Sequence, residues 1–218
     1  MKRGTGLPAR RREAIRHAAR TLVLLLVVQN MLHVGLLLPI QAIRMAEERE
    51  GVRGTRILRR LWEPDIGRSS LFYLTANETA LVLSDTYLTL LGWQPMSGHA
   101  LDCTGGEPLY VTERRVSRLG VKGTRCFFYG RVDSPAIEMV ELSLWYIDGH
   151  GHGQEHTRLA VPREAWLEQD GRRYFLLQYD MEDWPEAVGV DTRAIGRDSS
   201  GAVVTEFSLS VGVSATYG

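Results

Sequence analysis

Lysine and cysteine are nearly missing from this 218-residue chain, with two of each. Arginine supplies 24 of the 26 basic side chains, which follows source base composition more readily than any chemistry. No Cys-x-x-Cys pair exists, so a thiol–disulfide exchange motif is excluded. Net charge is missing as well: 26 basic residues balance 26 acidic ones. Gly-x-Ser-x-Gly, His-Glu-x-x-His and the phosphate-loop pattern Gly-x-x-x-x-Gly-Lys-Ser/Thr do not occur, and the chain is read as non-enzymatic, with no cofactor. Internal repeats and low-complexity tracts are also absent.

What is present is unevenly placed. Residues 1–20 carry seven basic side chains against Glu13, and the chain from Glu63 onward has 13 basic and 22 acidic residues. So acidic a body is a poor match to phosphate backbones, so nucleic acid is not expected as a partner. Between Arg20 and Arg44 lie 23 residues without formal charge, TLVLLLVVQNMLHVGLLLPIQAI. At a rise of 1.5 Å per residue such a helix would cross a hydrocarbon core of about 30 Å. Leu22–Val28 is apolar on every side; Gln29, Asn30 and His33 interrupt it, read as tolerated polarity or a helix-pairing contact, and Pro39 is expected to bend or end the helix.

The expected organisation is a basic cytoplasmic tail over 1–20, a transmembrane signal anchor over 21–43, a juxtamembrane stalk over 44–63, and an extracytoplasmic β-rich domain over 64–218. Basic flanks stay on the cytoplasmic side, which places the domain outside the cell membrane. A cleaved signal peptide is the rival reading and exports the same domain. Outside the cytoplasm, an even number of cysteines reads as a disulfide, Cys103 with Cys126.

Beyond Pro64 short apolar runs alternate with turn residues. Leu71–Leu74, Ala80–Leu83 and Tyr87–Trp93 read as a three-strand meander, followed by strands at Leu109–Thr112, Cys126–Val132, Ile137–Tyr146, Thr157–Val161, Tyr174–Tyr179, Val188–Ile195 and Val203–Val211. In the last, Val203, Thr205, Phe207, Leu209 and Val211 share one face, the alternation of a half-buried strand. Pro162–Gln169 allows one helical turn. The fold class expected is mostly β, an antiparallel β-sandwich behind an N-terminal helix; Thr124–Tyr217 resembles an immunoglobulin- or fibronectin-like domain in its rhythm of strands.

Three of the six histidines, His150, His152 and His156, fall within Asp148–His156 among glycines. Imidazoles beside a carboxylate suit Zn²⁺, Cu²⁺ or Ni²⁺, although a hairpin at this place needs a polar, Gly-rich loop in any case. Asp180, Glu182, Asp183 and Glu186 read as a solvated acidic loop, and Asn77-Glu78-Thr79 is a formal sequon. The function expected is a single-pass membrane protein presenting a non-catalytic β-domain for binding or assembly, with another membrane or envelope protein as partner. The alternative is an exported metal-binding or hydrolytic protein using the three histidines.

Overall fold

The computed structural model describes residues 9–31, 36–64, 66, 70–117, 123–147, 150, 152–181 and 189–209. Its elements are helices α1 (Ala9–Met31) and α2 (Pro39–Arg49), and strands β1 (Arg56–Glu63), β2 (Ser70–Ala76), β3 (Ala80–Thr89), β4 (Gly92–Asp102), β5 (Leu109–Ser117), β6 (Thr124–Val132), β7 (Met139–Ile147), β8 (Gly153–Ala160), β9 (Trp166–Gln169), β10 (Arg172–Met181), β11 (Gly189–Arg197) and β12 (Val203–Leu209). The strands form three antiparallel four-stranded sheets: a first in the order β1-β2-β3-β4, a middle one in the order β5-β6-β10-β9, and a third in the order β12-β11-β7-β8.

The middle sheet is buried on both faces. Phe127 and Tyr129 of β6 join Tyr174 and Leu176 of β10 against Phe72, Leu74, Leu81 and Leu83 of the first sheet. Cys126, Phe128 and Val132 point the other way, packing with Phe175 onto Val140, Leu142, Leu144 and Ala194 of the third. A strand covered on both sides loses polar alternation, which is why Cys126–Val132 reads as a continuous apolar run up to Gly130 and Arg131. Arg131 enters this interior only because its charge is met at once: Nη1 donates to Glu78 O at 2.8 Å, Nη2 to Cys103 O at 2.7 Å and to Asp133 Oδ2 at 2.6 Å, and the guanidinium lies over the Tyr110 ring.

The expected membrane helix over 21–43 is not one element. α1 carries its first half to Met31, Leu36 pairs with Trp93 in an isolated antiparallel bridge, and Pro39 opens α2. Proline at the first helical position starts a helix well, since its missing N–H is one that no helix satisfies there; Gln41 Oε1 accepts from the Leu38 N–H at 3.1 Å. α2 lies across β3 and β4 with Ala42, Ile43, Ala46 and Glu47 buried, one face of a 3.6-residue period. The uncharged part of α1 is Thr21–Met31, and among the described residues no helix is long and apolar enough to cross a membrane.

The stretch 44–63, expected as a stalk, is built into the domain as the end of α2 and the edge strand β1. Glu47 fixes this: its carboxylate takes Arg44 Nη1 at 2.7 Å, the Thr55 hydroxyl at 2.7 Å and the Thr75 hydroxyl at 2.5 Å. The disulfide does not form either. Cys103 and Cys126 are both free and buried, in different cores, with the middle sheet between them. Sγ of Cys126 meets Met181 Sδ at 3.0 Å, and Sγ of Cys103 meets Leu101 O at 3.5 Å.

Candidate functional site

The histidine loop was the sharpest chemical signal in the sequence. The rings of His150 and His152 stand 6.3 Å apart between centroids, while His156, on β8, sets its ring edge-on to Tyr146 at 4.6 Å. Register places His156 at the bulge where β8 shifts against Leu144/Trp145. Among the described residues no group of three or more His, Cys, Asp or Glu side chains is placed to hold a metal ion. Of the acidic cluster, Asp180 pairs with Arg125 through two bonds of 2.7 and 3.0 Å; Glu182, Asp183 and Glu186, like Gln29, Asn30 and His33 earlier, have side chains outside the described set.

A second polar group, unseen in the sequence, lies between the first and middle sheets. Arg114 of β5 donates to Leu83 O at 3.0 Å and to Asp85 Oδ1 at 2.6 Å, and also bonds the Ser97 hydroxyl. Asp85 Oδ1 accepts further from Ser97 N at 3.1 Å and Oγ at 3.0 Å. Beside them His99 Nδ1 lies 2.6 Å from Tyr129 Oη, which is 2.8 Å from His99 O. A carbonyl only accepts, so the single phenolic proton goes to it, and Nδ1–H then donates to Oη. Burial, with Arg114 adding to it and Glu50 opposing, lowers the His99 pKa from 6.5, and burial raises that of Tyr129 far above the phenol range. Each group is consumed in joining β3, β4, β5 and β6, so the arrangement holds sheets together and offers no substrate a place.

Two shallow grooves, of about 180 and 350 Å³, lie on the described surface. The first runs between Arg59 and Leu61 of β1 and Pro162, Glu164, Ala165, Leu176 and Gln178; the second is made by the β9–β10 turn alone, Glu168–Arg173. Neither sets a nucleophile beside a base.

The outward face of the third sheet is different. Arg193 of β11 lies over the Trp145 ring at 4.8 Å; Trp145 Nε1 donates to Ser143 Oγ at 2.8 Å, and that hydroxyl donates to Glu155 Oε1 at 2.6 Å. Arg158 Nε and Nη2 reach the same oxygen at 3.0 and 2.8 Å. Bonds from Ser143 first, and then Arg158, lower the Glu155 pKa from its ordinary value. Trp145, Arg193, Glu155 and Arg158 thus form one ordered polar and aromatic array on this sheet face.

The remaining feature is apolar and exposed. From Leu22 to Val28 the α1 side chains Leu22, Val23, Leu24, Leu25, Val27 and Val28 are open to the outside on all sides of the helix. Leu37 and Leu38 are also exposed, as are Leu88, Leu90, Leu91 and Met96 of the β3–β4 hairpin. The sequence signal for the hairpin was there: 16 residues between Asp85 and Asp102 carry no formal charge. Comparison with protein-family models, curated proteins and solved structures finds no significant match, so function is argued from the chain's own residues.

Proposed function

We propose that the chain is a membrane-held, non-catalytic β-module, its sandwich presented outside the cell membrane for binding to another membrane or envelope protein. The observation that carries this is the apolar circumference of α1 from Leu22 to Val28. A helix apolar all round is a helix immersed in lipid or in other helices, and among the described residues no element encloses it as a core would. Arg10, Arg11, Arg12, Arg16 and Arg20 precede the apolar stretch and hold that end at the cytoplasmic face.

The strand orders support a binding role. β5-β6-β10-β9 and β12-β11-β7-β8 follow the A-B-E-D and G-F-C orders of an immunoglobulin-like sandwich, with β8 added beside β7. Cys126 stands on the strand that would carry the first inter-sheet cysteine, but β11 turns Thr192 and Ala194 inward and supplies no second thiol. The face offered to the partner is the third sheet's, centred on Trp145 and Arg193.

The test is photocrosslinking in the native membrane with Arg158→p-benzoylphenylalanine in the full chain. A discrete adduct with a membrane or envelope protein, lost in Trp145→Ala and Arg193→Glu backgrounds that leave the melting temperature unchanged, is expected. A chain that stays monomeric under these conditions contradicts the reading.

A further inference from the structure

We infer that the β3–β4 hairpin tip is a second lipid contact, sunk into the interface of the same bilayer that receives α1. This rests on the membrane reading above and adds to it a second point of contact, which fixes the tilt of the domain.

Position argues for it first. Leu36 and Trp93 exchange both backbone bonds, Leu36 N to Trp93 O at 2.7 Å and Trp93 N to Leu36 O at 2.8 Å. The chain leaving α1 is therefore fastened beside the tip of the hairpin, whose turn Leu90-Leu91 ends two residues before Trp93. From Val28 to Leu36 is eight residues, a reach of at most about 28 Å however the chain runs. With Val28 in the hydrocarbon, Leu36, and with it Trp93 beside the tip, stays within that reach of the bilayer.

Length argues for it next. Fifteen residues lie between Arg20 and Leu36, and as a helix, the form a lone segment must take in lipid, they would cover about 22 Å against a hydrocarbon core of about 30 Å. A short segment is accommodated by thinning the bilayer or by drawing the attached domain into it. The end of the domain that would be drawn in is suited to that. Leu90 is fully exposed, at 106 % of its reference area, Leu91 and Leu88 are about half exposed, and no formal charge occurs between Asp85 and Asp102. Tyr87 and Trp93 flank the leucines, the residue types that settle at headgroup depth.

The far end of the same sheet has the opposite chemistry. The β2–β3 turn is Asn77-Glu78-Thr79, and Arg172 and the Arg56–Asp170 ion pair gather beside it. Ten residues of β3 separate the two ends, about 33 Å at strand rise. One pole is charged and one is bare hydrocarbon, and the bare one is where the membrane segment attaches.

The experiment uses the full chain in phosphatidylcholine/phosphatidylglycerol vesicles, with an environment-sensitive NBD label on Leu24→Cys, Leu90→Cys or Ser200→Cys in turn; the buried native thiols stay unlabelled in the folded protein. Emission from positions 24 and 90 should shift to the blue and be quenched by nitroxide-bearing lipid, while position 200 stays aqueous. A lipid-quenched label at 24 with an aqueous label at 90 overturns this inference and leaves the membrane reading standing. Aqueous labels at both overturn the membrane reading itself. A shift at 90 that follows protein-to-lipid ratio and resists lipid nitroxide identifies a second copy as the occupant, and the inference fails.

Discussion

The guanidinium of Arg114 on β5 closes a 2.6 Å ion pair with Asp85 on β3, joining the first sheet to the middle one where both partners are removed from water. Asp85 is 1 % exposed at its side chain, and without the cation only Ser97 would remain to satisfy it. Arg114→Met should cost about 3 kcal/mol in urea unfolding, the penalty of a buried unpaired carboxylate, and the double variant with Asp85→Asn should recover part of it. A loss below about 1 kcal/mol would mean that the pair is not buried as described.

His99 gives the fold a pH dependence whose sign follows from its burial. Burial holds its folded-state pKa below the 6.5 of the free side chain, so between those values the unfolded chain binds the proton and the folded one does not. Its contribution is complete above about pH 6.5 and is lost as pH falls toward the folded-state value. Melting temperatures measured from pH 7.5 down to 5.0 should decline, and His99→Gln should flatten that decline. An equal slope in both proteins contradicts the assignment.

Burial pushes the thiols of Cys103 and Cys126 up to about 11 and about 12, so neither forms thiolate at neutral pH. Ellman's reagent at pH 8 should find no reactive thiol in the folded chain and two in guanidinium. Melting should be identical with and without reductant. A denatured count of zero would restore the disulfide.

Gly130 sits within β6 where the ring of Phe175 crosses it. A Cβ there would stand 2.3 Å from Tyr110 O and 2.6 Å from Phe175 Cε1. Because one of those atoms is backbone, relief requires the strands to separate, and Gly130→Ala should destabilise by roughly 3 kcal/mol or leave the protein insoluble. Gly171→Asn, at a turn with φ of +74° and open space around it, is the tolerated control. Comparable soluble yields from the two would contradict this packing.

The sequence was legible where the physics is local. β12 follows its alternation from Thr205 to Leu209, with Thr205 and Phe207 half-buried and Leu209 buried, but Val203, expected on the same face, is exposed and Val211 lies outside the described residues; β2, β3, β5, β6, β7, β10 and β11 lie where apolar runs met turn residues. Three edge strands escaped the sequence: β9 (Trp166–Gln169) lies in the stretch expected as a helical turn, and two others were hidden by their own composition. β1 carries Arg56, Arg59 and Arg60, and β4 carries Pro95 and Gly98, residues that an unpaired edge tolerates and a central strand does not. Tyr87–Trp93 reads as one strand of a meander; three leucines around a turn look like a core segment until the register shows them at a hairpin end. Long-range placement was beyond reach: Cys103 and Cys126 are 23 positions apart in the chain, yet which face of a sheet each would occupy depends on the stacking of all three layers. The Arg114–Asp85 pair and the His99–Tyr129 pair are assembled from strands 29 and 30 residues apart, with no shared motif to mark them.

The most direct test is fractionation of cells producing the full-length chain, with alkaline carbonate extraction of the membranes. The account predicts that the protein pellets with the bilayer after extraction and is released only by detergent, and that Leu24→Asp with Val27→Asp moves it to the supernatant while its melting temperature is unchanged. Recovery of the unaltered chain in the soluble fraction before any extraction would contradict it.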